Sequence, residues 1–534
     1  MADSSVSFLL DKLTLLLQAE VNLQRGVRED VQHIKYELER HRGILRVADA
    51  LEDKDPELKA WVKRVRDVAH DMEDAIDEFS LRLVDQHGQG NSSSFHVNFF
   101  IRHRIASNIQ NIKSRVDIIS QGRPNIAGIG SGSSQRLRLD SQGDALLLEE
   151  ADLVGIDKPK RQLSDLLFNE EAVLLKDLVQ QLHNVIGKPS PEAVGQMKSD
   201  QLKEEIVNLK SKDQNFATIA KDQDIIWPDK VRRLSIINTL NNVQQNRTTF
   251  QLRSLLMFAS SDSLEHFSIR ALCSSGYKLL RVLDLQDAPL EVFPAEIVSL
   301  YLLKYLSLKN TKVKSIPGSI KKLQQLETLD LKHTYVTVLP VEIVELQRLR
   351  HLLVYRYEIE SYAYLHSRHG FMVAAPIGLM QSLQKLCFIE ANQALMIELG
   401  KLTQLRRLGI RKMRKQDGAA LCSSIEKMIN LRSLSITAIE DDEIIDIHNI
   451  FRPPQYLQQL YLEFFDMPEE LITALRPNGG EDYWRVQHVP AVYISYWRDG
   501  GWDVYSLETL GERESDSSSG TAKRSLEICT LWKV

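Results

Sequence analysis

Leu280-Arg-Val-Leu-Asp-Leu285, Leu303-Lys-Tyr-Leu-Ser-Leu308, Leu326-Glu-Thr-Leu-Asp-Leu331 and Leu349-Arg-His-Leu-Leu-Val354 are four copies of one frame, L-x-x-L-x-L, and the three steps between them are each 23 residues. A hydrophobic frame returning at a fixed period of 20–29 residues is the pattern of leucine-rich repeats, in which each coil lays down one short strand and stacks on the next. Working outward, the frame begins also, with conservative swaps, at Val231, Leu252, Leu383, Leu405, Leu431 and Leu457. Three coils carry an apolar-Pro pair on the descending side: Phe293-Pro294, Ile316-Pro317 and Leu339-Pro340. The step from Leu349 to Leu383 is 34 residues, so an insertion there is expected to project as a loop. The repeats are placed at 227–470, an aromatic, strand-like cap at 471–507 and a solvated Glu/Ser/Asp-rich tail at 508–534.

The first 120 residues carry helical periodicity instead. Val6, Leu9, Leu10, Leu13, Leu16 and Leu17 share one helix face. Val27, Val31, Ile34, Leu38, His41, Leu45 and Ala48 step by four and three, as in a heptad seam. Asp55 and Pro56 open a third helix, whose seam is Leu58, Val62, Val65, Ala69, Met72, Ile76, Phe79 and Leu83. Ile105, Ile109, Ile112, Val116 and Ile119 mark a fourth. The fold class is therefore multidomain: a four-helix, coiled-coil-type α-helical bundle over 1–120, then a C-terminal α/β leucine-rich-repeat solenoid. Between them, 121–152 opens on a Gly/Ser/Arg-rich linker. Its Gly128, Gly130 and Gly132 lack the lysine and the framing strand and helix of a phosphate loop.

Composition narrows function. In 534 residues, 67 Lys plus Arg against 72 Asp plus Glu give a net charge of −5, which argues against nucleic-acid binding driven by overall charge. Cys273, Cys387, Cys422 and Cys529 are separated by 114, 35 and 107 residues, too far for a zinc knuckle or a small disulfide framework. No metal site is expected, and no HExxH or GxSxG motif proposes an enzyme. The start MADSSVSFLLDK has no basic n-region, and no apolar run reaches the about 18 residues needed to span a bilayer, so a cytoplasmic protein is expected.

Three local stretches point to a family. Trp61-Val62-Lys63-Arg64-Val65-Arg66-Asp67-Val68-Ala69, running into Glu73-Asp74-Ala75-Ile76-Asp77-Glu78-Phe79, resembles the signature of the Rx-type coiled-coil domain of plant intracellular immune receptors, with Ala75 for Val in its EDVID core. Met1-Ala2-Asp3, Val6-Ser7-Phe8, Lys12-Leu13 and Leu16-Leu17 resemble the MADA motif of a subset of them. Val154-Gly155-Ile156-Asp157 resembles the adenine-proximal opening of their nucleotide-binding NB-ARC domain, and Lys230-Val-Arg-Arg-Leu-Ser-Ile236 their lead-in to the repeats. The resemblance implies the order coiled coil, nucleotide switch, leucine-rich repeats, with ADP or ATP as the switch ligand.

The centre of that order is missing. A P-loop needs G-x-x-x-x-G-K-[ST], so that backbone amides cradle the phosphates, the lysine neutralises charge and the hydroxyl holds magnesium. Gly187-Lys188 is followed by Pro189, with Leu182 in place of the first glycine; Gly400-Lys401 has Leu395 and Leu402 at those positions. Residues 153–226 read as a remnant of the domain, with internal excisions near Phe168 and Ser211, and no cofactor is expected.

Two charge patterns and one helix are candidate interaction features. Asp67, Asp71, Asp74 and Glu78 stand at i, i+4, i+7 and i+11, with Glu73 and Asp77 beside them. Like charges at i, i+4 destabilise a helix, so the face is expected either to meet open water or to have a basic partner. The residues after the first leucine of each frame offer one: seven of the ten, Arg232, Arg253, Arg281, Lys304, Arg350, Arg406 and Arg432, are basic, and stacking would align them in a column. The resemblance also places the EDVID region against the repeats. In helix one, Val6, Leu9, Leu10, Leu13, Leu16 and Leu17 read as bundle core, while the resemblance implies a second, oligomeric state in which the helix, Phe8 included, enters the plasma membrane on activation, with Asp11 facing a lumen.

The reading is a plant defence protein acting through protein contacts: pathogen effectors or guarded host proteins on the repeats, other receptors on the coiled coil, no nucleic acid. Its alternatives are a complete nucleotide-switched receptor represented by an incomplete chain, and a non-signalling adaptor or decoy.

Overall fold

The computed structural model describes residues 2–19, 25–51, 56–87, 94–122, 218–220, 232–237, 252–258, 278–358, 367–373, 375–438, 454–464, 469–477, 479–498 and 501–506. The chain divides into two compact units, Met1–Phe216 and Ala217–Val534.

In the first unit, α1 (Ala2–Ala19), α2 (Arg25–Leu51), α3 (Pro56–His87) and α4 (Ser94–Gln121) form the bundle. α1 and α4 each pack against both α2 and α3. The core follows the heptad reading: Val31, Ile34, Leu38, His41, Leu45 and Ala48 of α2 are buried, as are Leu58, Val62, Val65, Ala69, Met72 and Ile76 of α3 and Ile109, Ile112, Val116 and Ile119 of α4. Trp61, buried among them, donates its indole N–H to the Ile119 carbonyl at 3.2 Å. His41 stands edge-on to the Trp61 ring at 5.7 Å and bonds Ser120 Oγ at 2.8 Å. Ser120 in turn donates to Glu37 Oε2 at 2.6 Å, where Arg40 also donates at 2.7 Å. A polar residue in an apolar seam is tolerated when it is hydrogen-bonded, and such groups can fix register.

In the second unit a sheet of thirteen strands runs in chain order: β1 (Thr218–Ala220), β2 (Arg233–Ile237), β3 (Ser254–Phe258), β4 (Val282–Asp284), β5 (Tyr305–Ser307), β6 (Thr328–Asp330), β7 (His351–Leu353), β8 (Lys385–Glu390), β9 (Arg407–Met413), β10 (Ser433–Ala438), β11 (Gln459–Phe464), β12 (Ala491–Arg498) and β13 (Gly501–Ser506). All neighbours are parallel except β12 and β13, which are antiparallel. Register sets like on like: Leu283, Leu306, Leu329, Leu352, Leu386, Leu408, Leu434 and Leu460 are successive partners. All eight are buried, with the third residues of their frames.

Each apolar-Pro pair turns the coil back. Phe293, Ile316 and Leu339 are buried, and Pro294, Pro317 and Pro340 each open a five-residue 3-10 helix that buries Ile297, Ile320 or Ile343. In the two coils that begin at Leu383 and Leu405 α-helices take that place: α5 (Gln393–Leu399), capped by the Asn392 side chain accepting the Leu395 N–H at 2.9 Å, and α6 (Gly418–Ile425). After β4, β5 and β6, Asp287, Asn310 and His333 hold positive φ of 61°, 57° and 57°, one per coil at the same frame position. Asn and Asp accept this left-handed backbone more readily than most residues. Asn310 also donates to Asp287 Oδ1 at 2.8 Å, tying two of these turns together.

The structure revises three boundaries and shapes. The 34-residue step does not simply loop out: Arg356–Glu358 and Ser367–His369 pair as an antiparallel hairpin, and the chain then returns to bury Phe371 and pair Met372–Val373 with Val338–Leu339. Thr218–Ala220, placed by sequence in the nucleotide-domain remnant, pairs with β2 as a sheet strand. The segment read as a cap contains another repeat frame, Val489-Pro-Ala-Val492-Tyr-Ile494, with all three apolar residues buried and Val492 in register with Leu460. It lacks leucine, which hid it. Val154, Gly155, Ile156 and Asp157 lie outside the described residues.

Leu329 is fully buried between Leu306 and Leu352. Leu329→Ala should cost about 2–5 kcal/mol in denaturant unfolding of the repeat unit, because the parallel stack cannot close around the lost methyls. A loss below about 1 kcal/mol would mean that neighbouring coils repack.

Candidate interaction surfaces

α1 spends its apolar face inside the bundle. Val6, Leu9, Leu10 and Leu13 are buried, Leu16 and Leu17 pack against the same core, and Phe8 and Asp11 are exposed. Among the described residues no helix is long and apolar enough to cross a membrane. Lys12, on the edge of that face, places its ammonium 2.7 Å from Asp77 Oδ1 and 3.2 Å from Glu73 Oε1, clasping α1 to α3. Both carboxylates are nearly buried.

This changes the reading of the acidic helix. The surplus that seemed to require open water or an outside base is met to a large extent within the bundle. Besides the Lys12 contacts, Arg115 of α4 lies 2.6 Å from Asp71 Oδ2, and Arg104 of α4 pairs with Glu78. Asp67 and Asp74 are half-buried on the same helix. Helical spacing shows repulsion along one helix; it cannot show bases 61 and 65 residues away that tertiary packing brings in.

The basic column is formed as a line. The N–H of Arg253 donates to the Arg232 carbonyl, Arg281 to Arg253, Lys304 to Arg281, Glu327 to Lys304, Arg350 to Glu327, Gln384 to Arg350, Arg406 to Gln384, Arg432 to Arg406 and Gln458 to Arg432, each at 2.6–2.8 Å. At the next coil Pro490 has no N–H to give, and only Ala491 bonds back to Gln458, at 3.1 Å. The side chains differ along the line: Arg232 and Arg253 are buried, whereas Lys304, Arg350, Arg406 and Arg432 are exposed. Glu327 interrupts the run. Lys304 lies 2.6 Å from its Oε1 and Arg350 4.0 Å from its Oε2. Partial burial opposes ionisation of Glu327, but the Lys304 hydrogen bond and the surrounding Lys and Arg charges outweigh it and hold the carboxyl below its ordinary range.

The next position of each frame makes a second line: Val282, Tyr305, Thr328, His351, Lys385, Arg407, Ser433, Gln459 and Ala491 are successive register partners. His351 and Lys385 are both pushed below their ordinary pKa, first by burial and then by neighbouring cations: Lys385, Arg350 and Arg406 act on His351, Arg407 and Lys332 on Lys385. Two positions beyond this line, Asp284 and Asp330 flank Ser307; burial pushes the Asp284 carboxyl up, with Asp330 adding to it. Cys387, fully enclosed, has its thiol pushed up to about 11, which suits packing rather than reactivity. Among the described residues no group of His, Cys, Asp and Glu could hold a metal ion.

A helical bundle of this seam and a parallel sheet with one strand per coil define a protein that joins an N-terminal coiled-coil module to leucine-rich repeats. Two families match these parts: the Rx N-terminal domain over residues 5–104 and a leucine-rich repeat region over residues 251–475. Parts of the chain are similar to plant disease resistance proteins. The chain is 30% identical over 207 residues to "Disease resistance protein PIK6-NP" of Oryza sativa subsp. japonica, covering 36% of this chain and 19% of that protein. It is 28% identical over 182 residues to "Disease resistance protein RPP13" of Arabidopsis thaliana, covering 32% and 22%. Among solved structures, a leucine-rich-repeat protein of Leptospira interrogans aligns over 51% of this chain and 69% of its own at 18% identity and a TM-score of 0.32. The matches thus span about a fifth of the length of these two resistance proteins.

Removing Lys12 leaves two nearly buried carboxylates side by side. Lys12→Ala should destabilise the seating of α1 by about 1–3 kcal/mol, read as faster hydrogen exchange of its amides. Adding Asp77→Asn to it should restore part of that loss. Unchanged α1 protection in the single variant would show that the clasp contributes nothing beyond the leucine packing.

Proposed function

We propose that this chain is a receptor-like protein of plant innate immunity that acts by binding other proteins, with its nucleotide switch lost. The observation that carries the proposal is the presence in one chain of an Rx-type bundle and a leucine-rich-repeat sheet, each matched to its family, together with relatives named as disease resistance proteins. Two observations support the loss of the switch: neither Gly-Lys pair of the sequence has the first glycine or the Ser/Thr of a P-loop, and Gly400, the C-terminal cap of α5, lies in a repeat coil. A binding role needs no catalytic centre, and the repeats supply what such a role requires: a rigid surface on which each coil presents its own choice of side chains at fixed spacing.

On this reading the repeats take a pathogen effector or a guarded host protein, the bundle associates with other receptors of its kind, and the protein works in the cytoplasm, reaching the plasma membrane only on activation. With α1 seated in the bundle core, membrane insertion would first have to expose Val6, Leu9, Leu10 and Leu13, each fully or almost fully buried. At about 1.5–3 kcal/mol for each large apolar side chain, that opposes spontaneous release.

Calorimetric titration of the purified chain with ADP and magnesium tests the loss of the switch. No saturable heat is expected up to millimolar nucleotide, of the order of 10⁻³ M. Stoichiometric binding would overturn the proposal in favour of a nucleotide-switched receptor, and reading the transcript across codons 160 to 230 would then locate the coding segment that supplies the site.

A further inference from the structure

The sheet ends on an open edge. β13 runs back antiparallel to β12, and among the described residues no strand lies beyond it. Arg498 and Gly501 are register partners with only Asp499-Gly500 between them in the sequence. In a hairpin of that length the pair flanking the turn exchanges main-chain hydrogen bonds, and bonded pairs then alternate along the ladder. Asp503 and Tyr505 therefore bond Tyr496 and Ile494 of β12, whereas Trp502 and Val504 turn their N–H and C=O groups to the far side.

Such an edge is normally protected. Lys, Pro, a bulge or a very short strand discourages further pairing, and a repeat array is normally ended by a coil with a polar outer face. β13 has none of these devices: its residues are Gly-Trp-Asp-Val-Tyr-Ser, with Asp503 the one charge, and they pair with β12 without a shift of register. The coil beneath it is a packed one, with Val492, Ile494 and Tyr496 buried.

The sequence supplies a strand that fits this place. Residues 507–534 lie outside the described residues. Their first part is rich in Glu, Ser and Asp, but Ser525-Leu-Glu-Ile-Cys-Thr-Leu-Trp-Lys-Val534 changes character. Leu526, Ile528, Thr530, Trp532 and Val534 alternate with Glu527, Cys529, Leu531 and Lys533, without Gly or Pro, which is the period and composition of a strand. Glu527 and Lys533 are charges of the kind an outermost strand carries and β13 largely lacks. As a flexible chain, the eighteen residues 507–524 span about 23 Å, against about 20 Å for a six-residue strand, so the segment reaches either end of β13. A tether of this kind holds it near the edge at roughly millimolar effective concentration, which favours it over a second copy of the chain.

We propose that residues 526–534 dock along the open edge of β13 as one further strand and close the C-terminal end of the sheet. This goes beyond the reading of the chain as a binding protein, because the edge is then occupied by the chain itself and is not offered to a partner.

Hydrogen exchange resolved to single amides, on the full chain, tests the docking. The N–H groups of Trp502 and Val504 should exchange slowly, as should those of Asp503 and Tyr505. Cys529→Pro with Thr530→Pro places one proline on the bonded side of the segment in either register. It should speed exchange at Trp502 and Val504 about tenfold or more and leave the amides of β6 unchanged. A synthetic peptide of residues 525–534 added to that variant should restore slow exchange. Should β6 loosen as well, recovery with the peptide decides, and its absence overturns the proposal. Fast exchange at Trp502 and Val504 in the unaltered chain, or slow exchange that survives the two prolines, also overturns it. If the surviving protection fades on dilution, a second copy of the chain covers the edge.

Discussion

The repeat unit depends on one constraint: the main chain of each coil must hydrogen-bond to the coil before it, at the same place in the frame. The donor that follows the first apolar residue always reaches the carbonyl of its counterpart, from Arg253 on Arg232 to Gln458 on Arg432. Such a ladder tolerates changes in coil length, because the excess is absorbed where the chain returns. It holds across a 23-residue step from Lys304 to Glu327 and across a 34-residue step from Arg350 to Gln384. Pairing fixes the strand, and the return path is free to be a 3-10 turn, an α-helix or a hairpin. The interior then fills with the leucines that the ladder stacks, and this long non-polar column is what makes coils cooperative with their neighbours.

The same constraint decides what the surface can be. A ladder that aligns leucines inside must align the intervening residues outside, so any preference repeated along the frame becomes a line of like groups about 4.8 Å apart. In a helix or a loop, basic residues scattered over 80 positions would be diluted by solvent; here they meet. The pKa of Lys385 is lowered first by burial and then by the charge of Arg407, its register partner, and of Lys332. Glu327 shows the opposite arrangement, one acid set between Lys304 and Arg350 where it relieves the line. Charge on the repeats is thus placed by topology, and whether a given coil adds to the field or quenches it depends on one residue.

How much could be read from the sequence follows from the range over which each interaction acts. The leucine frame, the heptad seams and the stacking of the residues after each first leucine are periodic, so a short window contains the whole signal. Val489, Val492 and Ile494 were missed because that coil keeps the volume and loses the leucines, and because the aromatic residues Tyr493, Tyr496 and Trp497 around it look like a cap. The hairpin of the insertion was illegible for a related reason: its strands are three residues each, too short for alternation to be recognised.

The bundle shows where periodicity misleads. Acidic residues at i, i+4 and i+7 on α3 look like an unbalanced face when only that helix is considered. Yet the counter-charges arrive from α1 and α4, at sequence separations of 26 to 65 residues with no period to announce them. Lys12 is the informative case. Its place on α1 is that of an ordinary polar flank to a leucine stripe, and only the crossing of α1 over α3 makes it the base for Glu73 and Asp77. A carboxylate held at 2.7 Å in a nearly buried site is already desolvated and matched, so giving it to a second cation requires breaking the first contact. The bundle therefore spends Glu73 and Asp77 inward, on joining α1 to α3, whereas the repeat sheet lines up Arg350, Arg406 and Arg432 at its surface. Seating α1 and offering the α3 acids to another surface are then competing uses of the same two side chains, and a change that frees one necessarily weakens the other.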